Sequence, residues 1–338
     1  MTLAQKDTTL LDSLTAPVRL FLQRDGVTEV VVNKPYELGL ETSGAWTWHQ
    51  IQSLDFDTLM AIAHTAAAFT SQDIGEDAPI CSTVLSSGER LQIVVPPTVP
   101  EGTVSLTLRK PSLATLSLQD FDKAGFFEIA ALASNVISKD ERDLLTFLEA
   151  RDHVSFFDLA VKTKRNILIS GATGSGKTTF AKGLIAQIPA HERLLTIEDT
   201  RELIMPHRNV VHMIYSKDGQ GTANVTAKQL LESALRMRPD RILLAELRDG
   251  TAYHYLRNVN SGHPGSITTV HADSANLAFE QLTLLVKESE GGSDLARDDI
   301  RAMLKALVDI VVQVKKTDQG YRVTEIYYDP QSRHVAAH

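Results

Sequence analysis

The ten residues GATGSGKTTF, at 171–180, constrain this chain more than any other stretch. They match G-x-x-x-x-G-K-[ST] at Gly171, Gly176, Lys177 and Thr178. The flanks supply the context that pattern needs, with the apolar run NILIS (166–170) before it and the helix-compatible TTFAKGLIAQI after it. A strand, a glycine loop and a helix in that order aim backbone N–H groups and the positive end of a helix dipole at one point, where phosphate oxygens bind. Gly171, Thr173, Gly174, Ser175, Gly176, Lys177, Thr178 and Thr179 are therefore the candidate nucleotide contacts. Lys177 is expected to reach the β- and γ-phosphates of ATP, and the Thr178 hydroxyl to coordinate Mg²⁺.

Such a loop belongs at the carboxyl edge of a parallel sheet, and the second half of the chain reads as one. Apolar runs alternate with helical stretches: NILIS, RLLTIE (193–198), NVVHMIY (209–215), RILLA (241–245), GSITTV (265–270) and DIVVQV (309–314). Strands this rich in Ile, Leu and Val, separated by amphipathic helices, imply βαβ units covered on both faces, an α/β class. Ligands gather at the carboxyl ends of such strands. RILLAELRDG ends in Glu246, a second candidate Mg²⁺ ligand beside the phosphate loop. RLLTIEDTREL puts Glu198 and Asp199 at another strand end, where adjacent side chains point to opposite faces, so one of the two faces the nucleotide. A carboxylate there orients and deprotonates an attacking water, and the sequence reading gives that role to Glu198. SGHPGSITTVHADS carries His263 and His271, the latter just past a strand end, where it can contact a γ-phosphate. No cysteine and no close carboxylate pair completes a zinc-type ligand set around them.

The first half is different. TEVVVN (28–33), YELGLET (36–42), a hairpin over 82–95 turning at Ser86-Ser87-Gly88, and TVSLTLRKP (103–111) are β-rich, with one helix at about 55–71. This predicts a smaller α+β domain over 1–111, a linker over 112–138, and a nucleotide-binding domain over 139–338. The linker closes on SKDERDLLTFLEARD (138–152), whose Ser-x-x-Glu start and spaced leucines predict a capped helix continuing into HVSFFDLAVKTK.

Composition narrows the function. A 338-residue chain with 43% hydrophobic and 22% charged residues is long enough for two globular domains. A formal net charge of −8 argues against a surface built to grip nucleic acid, which is not expected as a direct ligand. The single cysteine, Cys81, forms no intramolecular disulfide, which suits a reducing compartment and a buried structural thiol. No apolar run reaches membrane-spanning length, and the N-terminus lacks a secretory apolar core.

Four segments together resemble the secretion-system traffic ATPases, a branch of the RecA-like P-loop proteins. They are the Walker A loop, the acidic box Thr196-Ile197-Glu198-Asp199, the Walker B stretch LRMRPDRILLAELRD (235–249), and the histidine box ending Thr269-Val270-His271-Ala272. Their order and spacing agree over about 165–275; Ala245 departs from the glycine many members carry there. GERLQIVVPP (88–97) and SLTLRKPS (105–112) resemble the N-terminal domain of the type IV secretion and conjugation branch, the VirB-eleven type. The resemblance implies a RecA-like sheet and an ATP- and Mg²⁺-dependent cytoplasmic homohexamer. It also implies peripheral association with the inner membrane through secretion-apparatus proteins, including a coupling or membrane ATPase. It further implies that Arg90 and Arg109 reach nucleotide phosphates, joining Lys177, Glu198, Glu246 and His271 as catalytic candidates. A DNA-translocating or helicase ATPase, a type II secretion or pilus motor, and an ATP-binding scaffold without turnover remain as alternatives. The one cysteine excludes the tetracysteine zinc site that many pilus motors add.

Overall fold

A computed structural model describes residues 8–111, 115–130, 136–216 and 224–336. The chain begins with helix α1 (Thr9–Leu22), then strands β1 (Val27–Lys34), β2 (Glu37–Thr42) and β3 (Ala45–Gln50), helix α2 (Phe56–Phe69), and strands β4 (Ile80–Val84), β5 (Arg90–Val94) and β6 (Ser105–Arg109). The strands form one sheet ordered β3-β2-β1-β6-β5-β4, with antiparallel pairs throughout. The alanine-rich 55–71 stretch becomes α2, capped by Asp55, whose carboxylate accepts from Thr58 N at 2.8 Å. Its buried face, Leu59, Ile62, Ala63, Ala66 and Ala67, joins Val30, Val32, Leu38, Ile93 and Leu106 in a core of its own. Cys81 lies in that core, and burial pushes its thiol pKa up, as a structural role requires.

Two elements lie outside the sequence expectation. α1 buries Leu11, Thr15, Val18 and Leu22, a helical stripe diluted by polar residues and interrupted by Pro17. β3 is an edge strand whose Trp46 and Trp48 face the second domain rather than the core, so its pattern is not that of a half-buried strand.

The expected linker carries a short helix, α3 (Leu118–Lys123), closed by a reciprocal Ser117–Asp120 cap; its residues 112–114 and 131–135 lie outside the described residues. Helix α4 (Lys139–Glu149) then begins with the anticipated box, Ser138 and Glu141 each accepting the other's backbone N–H. The expected continuation breaks at Arg151, where φ is +56°, and Asp152 caps a separate helix α5 (His153–Lys162).

Next come β7 (Ile167–Ser170), α6 (Lys177–Ile185), β8 (Leu194–Glu198), β9 (Val210–Ile214), α7 (Ala227–Ala234), β10 (Arg241–Leu244), α8 (Thr251–Asn260), β11 (Ile267–Val270), α9 (Ala275–Glu288), α10 (Arg297–Leu307), β12 (Ile310–Thr317), β13 (Gly320–Tyr328) and α11 (Pro330–Ala336). β10-β8-β9 and β11-β7-β12 are parallel, and β13 closes the edge antiparallel. The two halves meet where Leu247 N donates to Thr269 O at 2.8 Å and Thr269 Oγ1 to Ala245 O at 3.0 Å. Strands β7, β8, β10 and β11 are buried along their whole length, since helices cover both faces. This is the α/β, RecA-like architecture anticipated, and it brings the loops after β7, β8, β10 and β11 to one edge.

The first domain sits on the second through an unusually polar face. Arg193 is wholly buried there, donating to Asn33 Oδ1 (2.9 Å) and Asn209 Oδ1 (2.5 Å), and Arg208 donates to Glu37 at 2.7 Å. Arg238 pairs with Glu41 at 3.4 Å and Glu29 at 3.9 Å. The guanidinium groups of Arg193 and Arg238 lie 5.8 and 5.5 Å from the Trp46 ring, and that of Arg208 lies 4.9 Å from Trp48.

Candidate nucleotide site

The loop between β7 and α6 is fixed by sterics before any ligand arrives. A Cβ at Gly171 would run into the carbonyl of Val314 and the Ser175 hydroxyl, and Gly176 holds φ +93° as the residue preceding α6. The loop thus passes close under β12 and turns its N–H groups toward the helix start. Ser175 Oγ is buried and has no hydrogen-bond partner among the described residues, an acceptor and donor held ready for a ligand. Thr178 is half-buried, while Thr173, Gly174 and Thr179 are exposed along the mouth.

Lys177 is 8% exposed. Its ammonium donates to Gly171 O (2.7 Å) and Ala172 O (3.0 Å), folding back on its own loop, and lies 3.3 Å from His271 Nδ1. Burial lowers its pKa, against which the Glu246 carboxylate acts and with which Arg248 acts. His271 Nε2 is 2.6 Å from Glu246 Oε1, so Lys177, His271 and Glu246 form a continuous polar contact across the ends of α6, β11 and β10. His263 lies in the turn entering β11, at the opposite end of that strand, with burial pulling its pKa down, and takes no part.

Glu198 is the most enclosed of the catalytic candidates. Its carboxylate points into the fold, where Oε1 accepts from Thr196 Oγ1 at 2.7 Å and Oε2 from the backbone N–H groups of Glu202 and Leu203, each at 2.8 Å. His212 Nδ1 lies 3.4 Å from Oε1. Burial pushes this carboxyl's pKa up, but His212, the Leu203 N–H, Thr196 and the Glu202 N–H outweigh it and leave it below the usual carboxylate range. At 1% exposure and with both oxygens engaged, this carboxylate ties the start of the loop after β8 to the strand end. Asp199, next along the chain and on the other face, accepts from Arg248 at 3.0 Å.

Arg90 and Arg109 are cross-strand partners at the β5–β6 edge, both exposed, with Arg109 Nε 3.6 Å from Glu29. They line a cleft of about 420 Å³ with Arg236, and that cleft shares no residue with the one at the phosphate loop. Like charges set opposite each other cost stability, which Glu29 beside Arg109 offsets in part. The phosphate-loop cleft, about 640 Å³, has Gly174–Phe180 on one side and Val314, Tyr321, Arg322 and Val323 on the other. The β12–β13 hairpin residues Tyr321 and Arg322 were not anticipated, although the Asp-Gln-Gly turn between two alternating runs was available as a signal.

The donor set at the loop fits Mg²⁺: one hydroxyl and one carboxylate are the hard oxygen ligands that ion takes alongside nucleotide phosphates. No cluster of three or more His, Cys, Asp or Glu residues able to hold a metal occurs among the described residues. Nor is any helix among them long and apolar enough to cross a membrane.

The chain matches the family model of type II/IV secretion system proteins over residues 15–325. It is 53% identical over 325 residues to a type IV secretion system protein VirB11 of Bartonella quintana, covering 93% of this chain and 91% of the relative. It is 50% identical to that of Bartonella henselae, covering 97% and 96%. The crystal structure of the VirB11 ATPase from the Brucella suis type IV secretion system, in complex with sulphate, superposes with a TM-score of 0.91 at 41% identity, covering 97% of this chain and all of that one.

Proposed function

This chain belongs to the type II/IV secretion system protein family, and from that premise we propose how its carboxyl edge hydrolyses ATP to power substrate translocation or pilus assembly in a type IV secretion or conjugative-transfer apparatus. The observation that carries the reading is the contact of Lys177 with His271, and of His271 with Glu246, above a phosphate loop with an unpartnered Ser175 hydroxyl. On nucleotide entry, Lys177 exchanges the carbonyls of Gly171 and Ala172 for β- and γ-phosphate oxygens. The N–H groups from Gly174 to Thr178 take the phosphate chain, and the Tyr321 ring offers the base a stacking face. Thr178 and Glu246 would hold Mg²⁺, which neutralises charge developing on the phosphates. Glu246 orients the attacking water, and His271, already touching Lys177, reports whether a γ-phosphate is present.

Two substitutions separate the carboxylates. Glu246→Gln is expected to cut turnover about a hundredfold while leaving the unfolding temperature near that of the unsubstituted protein, because a group that positions or deprotonates the attacking water is worth about 10²–10⁴ in rate. Glu198→Gln is expected to lower the unfolding temperature as well, since an amide cannot accept from all the donors now bound there. Turnover rates beside thermal melts decide it, and a Glu198→Gln protein that is fully stable yet inactive would return the water-activating role to Glu198.

The arginine cleft shares no residue with the phosphate-loop cleft of its own chain, and on this reading Arg90 and Arg109 serve the nucleotide of a neighbouring copy in a homohexameric ring. Arg90→Ala and Arg109→Ala are each expected to slow hydrolysis roughly tenfold to a thousandfold, as loss of a charge facing the transferred phosphoryl group does. Mixing Arg109→Ala with Lys177→Ala should then restore activity above the sum of the two, because mixed rings pair an intact loop with an intact arginine edge. A mixture no better than its components would overturn the in-trans placement. A ring of this kind would work in the cytoplasm against the inner membrane, held there by apparatus proteins that include a coupling or membrane ATPase.

A further inference from the structure

We propose that Arg248 is a positioning residue for hydrolysis, clamping Glu246 and Asp199 together so that the carboxylates at the ends of β10 and β8 keep a fixed spacing. The proposal rests on the phosphate-loop reading above. Arg248 Nε donates to Glu246 Oε2 at 2.5 Å, Nη2 contacts the same oxygen, and Nη1 donates to Asp199 Oδ2 at 3.0 Å. Its backbone is anchored too: Arg248 N donates to Thr251 Oγ1 at 2.9 Å, and Thr251 N to Arg248 O at 3.0 Å, at the entrance to α8. The side chain is therefore aimed by a fixed turn.

Chemistry favours an arginine in that place. Two carboxylates on neighbouring strand ends repel, and a planar fork with several donors satisfies both in a fixed geometry that the flexible stem and compact charge of an ammonium do not impose. With Arg248 on one oxygen of Glu246 and His271 on the other at 2.6 Å, the carboxylate is held from two sides. A polar chain then runs Asp199–Arg248–Glu246–His271–Lys177 from the end of β8 to the phosphate loop. Among the described residues no hydrogen bond or ion pair joins Arg248 to that loop; its charge bears on Lys177, but its bonds go to Glu246, through which it acts on hydrolysis.

The test uses full-length Arg248→Ala and Arg248→Lys, a fluorescent ATP analogue titrated first in EDTA and then with Mg²⁺ added stepwise, and steady-state ATPase rates. In EDTA both variants should bind the analogue as the unsubstituted protein does. The Mg²⁺ concentration at half-effect should rise about tenfold or more in Arg248→Ala, the usual cost of losing a group that orients a metal-binding carboxylate. The turnover number should fall about 10- to 100-fold with KM for ATP little changed, and Arg248→Lys should recover part of the loss. Adding Asp199→Asn to Arg248→Ala should cost nothing further. An unchanged Mg²⁺ midpoint in folded Arg248→Ala would overturn the clamp, as would equal loss of EDTA binding and thermal stability in both variants, which marks a merely structural arginine. Binding by Lys177→Ala equal to that of the unsubstituted protein would instead overturn the phosphate-loop reading, and this proposal with it.

Discussion

Lys177→Ala is expected to reduce ATP hydrolysis by roughly a hundredfold to a thousandfold, the cost of removing one preorganised charge from the developing transition state. The fold should survive the change. The ammonium's present partners are two carbonyls of its own loop and one histidine nitrogen, at a cleft wall where water can replace the amine. Both effects are read from purified protein, by phosphate release and by a thermal melt. A folded Lys177→Ala protein with most of its turnover would remove the phosphate loop from the mechanism altogether.

The largest expected effect on stability lies beneath the site. Arg241 opens β10 with its side chain wholly buried, and it meets Glu192 through two parallel bonds, Nε to Oε2 at 2.7 Å and Nη2 to Oε1 at 2.9 Å. Its fork also reaches Val161 O at 2.8 Å and Gly265 O at 3.3 Å, tying α5 and the turn before β11 to the sheet. Arg241→Ala leaves Glu192 buried without its main partner, and breaking such a pair costs about 3–5 kcal/mol. The variant should melt well below the unsubstituted protein, while Arg241→Ala combined with Glu192→Leu should recover part of the loss. Burial pushes the Glu192 carboxyl's pKa up, but the Arg241 bonds overcome this and hold it below its ordinary value. Its stabilising contribution is therefore present above the ordinary glutamate pKa and disappears as pH falls through the lowered one. A melting temperature unmoved by Arg241→Ala would show that the pair contributes nothing to the sheet.

The sequence displayed most of what repeats. The buried parallel strands are continuous apolar runs because helices cover both of their faces, and the observed bounds of β7, β8, β10 and β11 fall within a residue or two of those runs. Lys177, Glu246 and His271 could be assigned to one edge because topology alone sends strand carboxyl ends there. Spacing says little about side-chain direction where donors compete. Glu198 reads as a base because it ends a strand, while its bonds to Thr196, Glu202 and Leu203, all local in sequence, cannot be read from spacing. Arg248 sat inside a quoted signature with no role, since its partners Glu246 and Asp199 come from two strands whose adjacency is known only once the sheet order is known. The tryptophans of β3 were illegible for a similar reason, because they pack on arginines more than 140 positions away.

Those tryptophans and arginines bear on how force travels. Arg193, Arg208 and Arg238 fasten the first domain to the second of the same chain through ion pairs, amide bonds and ring contacts, several of them buried. If Arg90 and Arg109 serve a neighbour's nucleotide, closure around that nucleotide pulls on an arm whose base is bolted to its own ATPase domain. The pull is then delivered to the next sheet as a displacement of the entire polypeptide, and the compliance lies at the seams between chains. Such a motor behaves as a train of gears rather than a set of flexing jaws. A cross-link placed between the two domains of one chain should then leave it running, whereas a cross-link between chains should jam it.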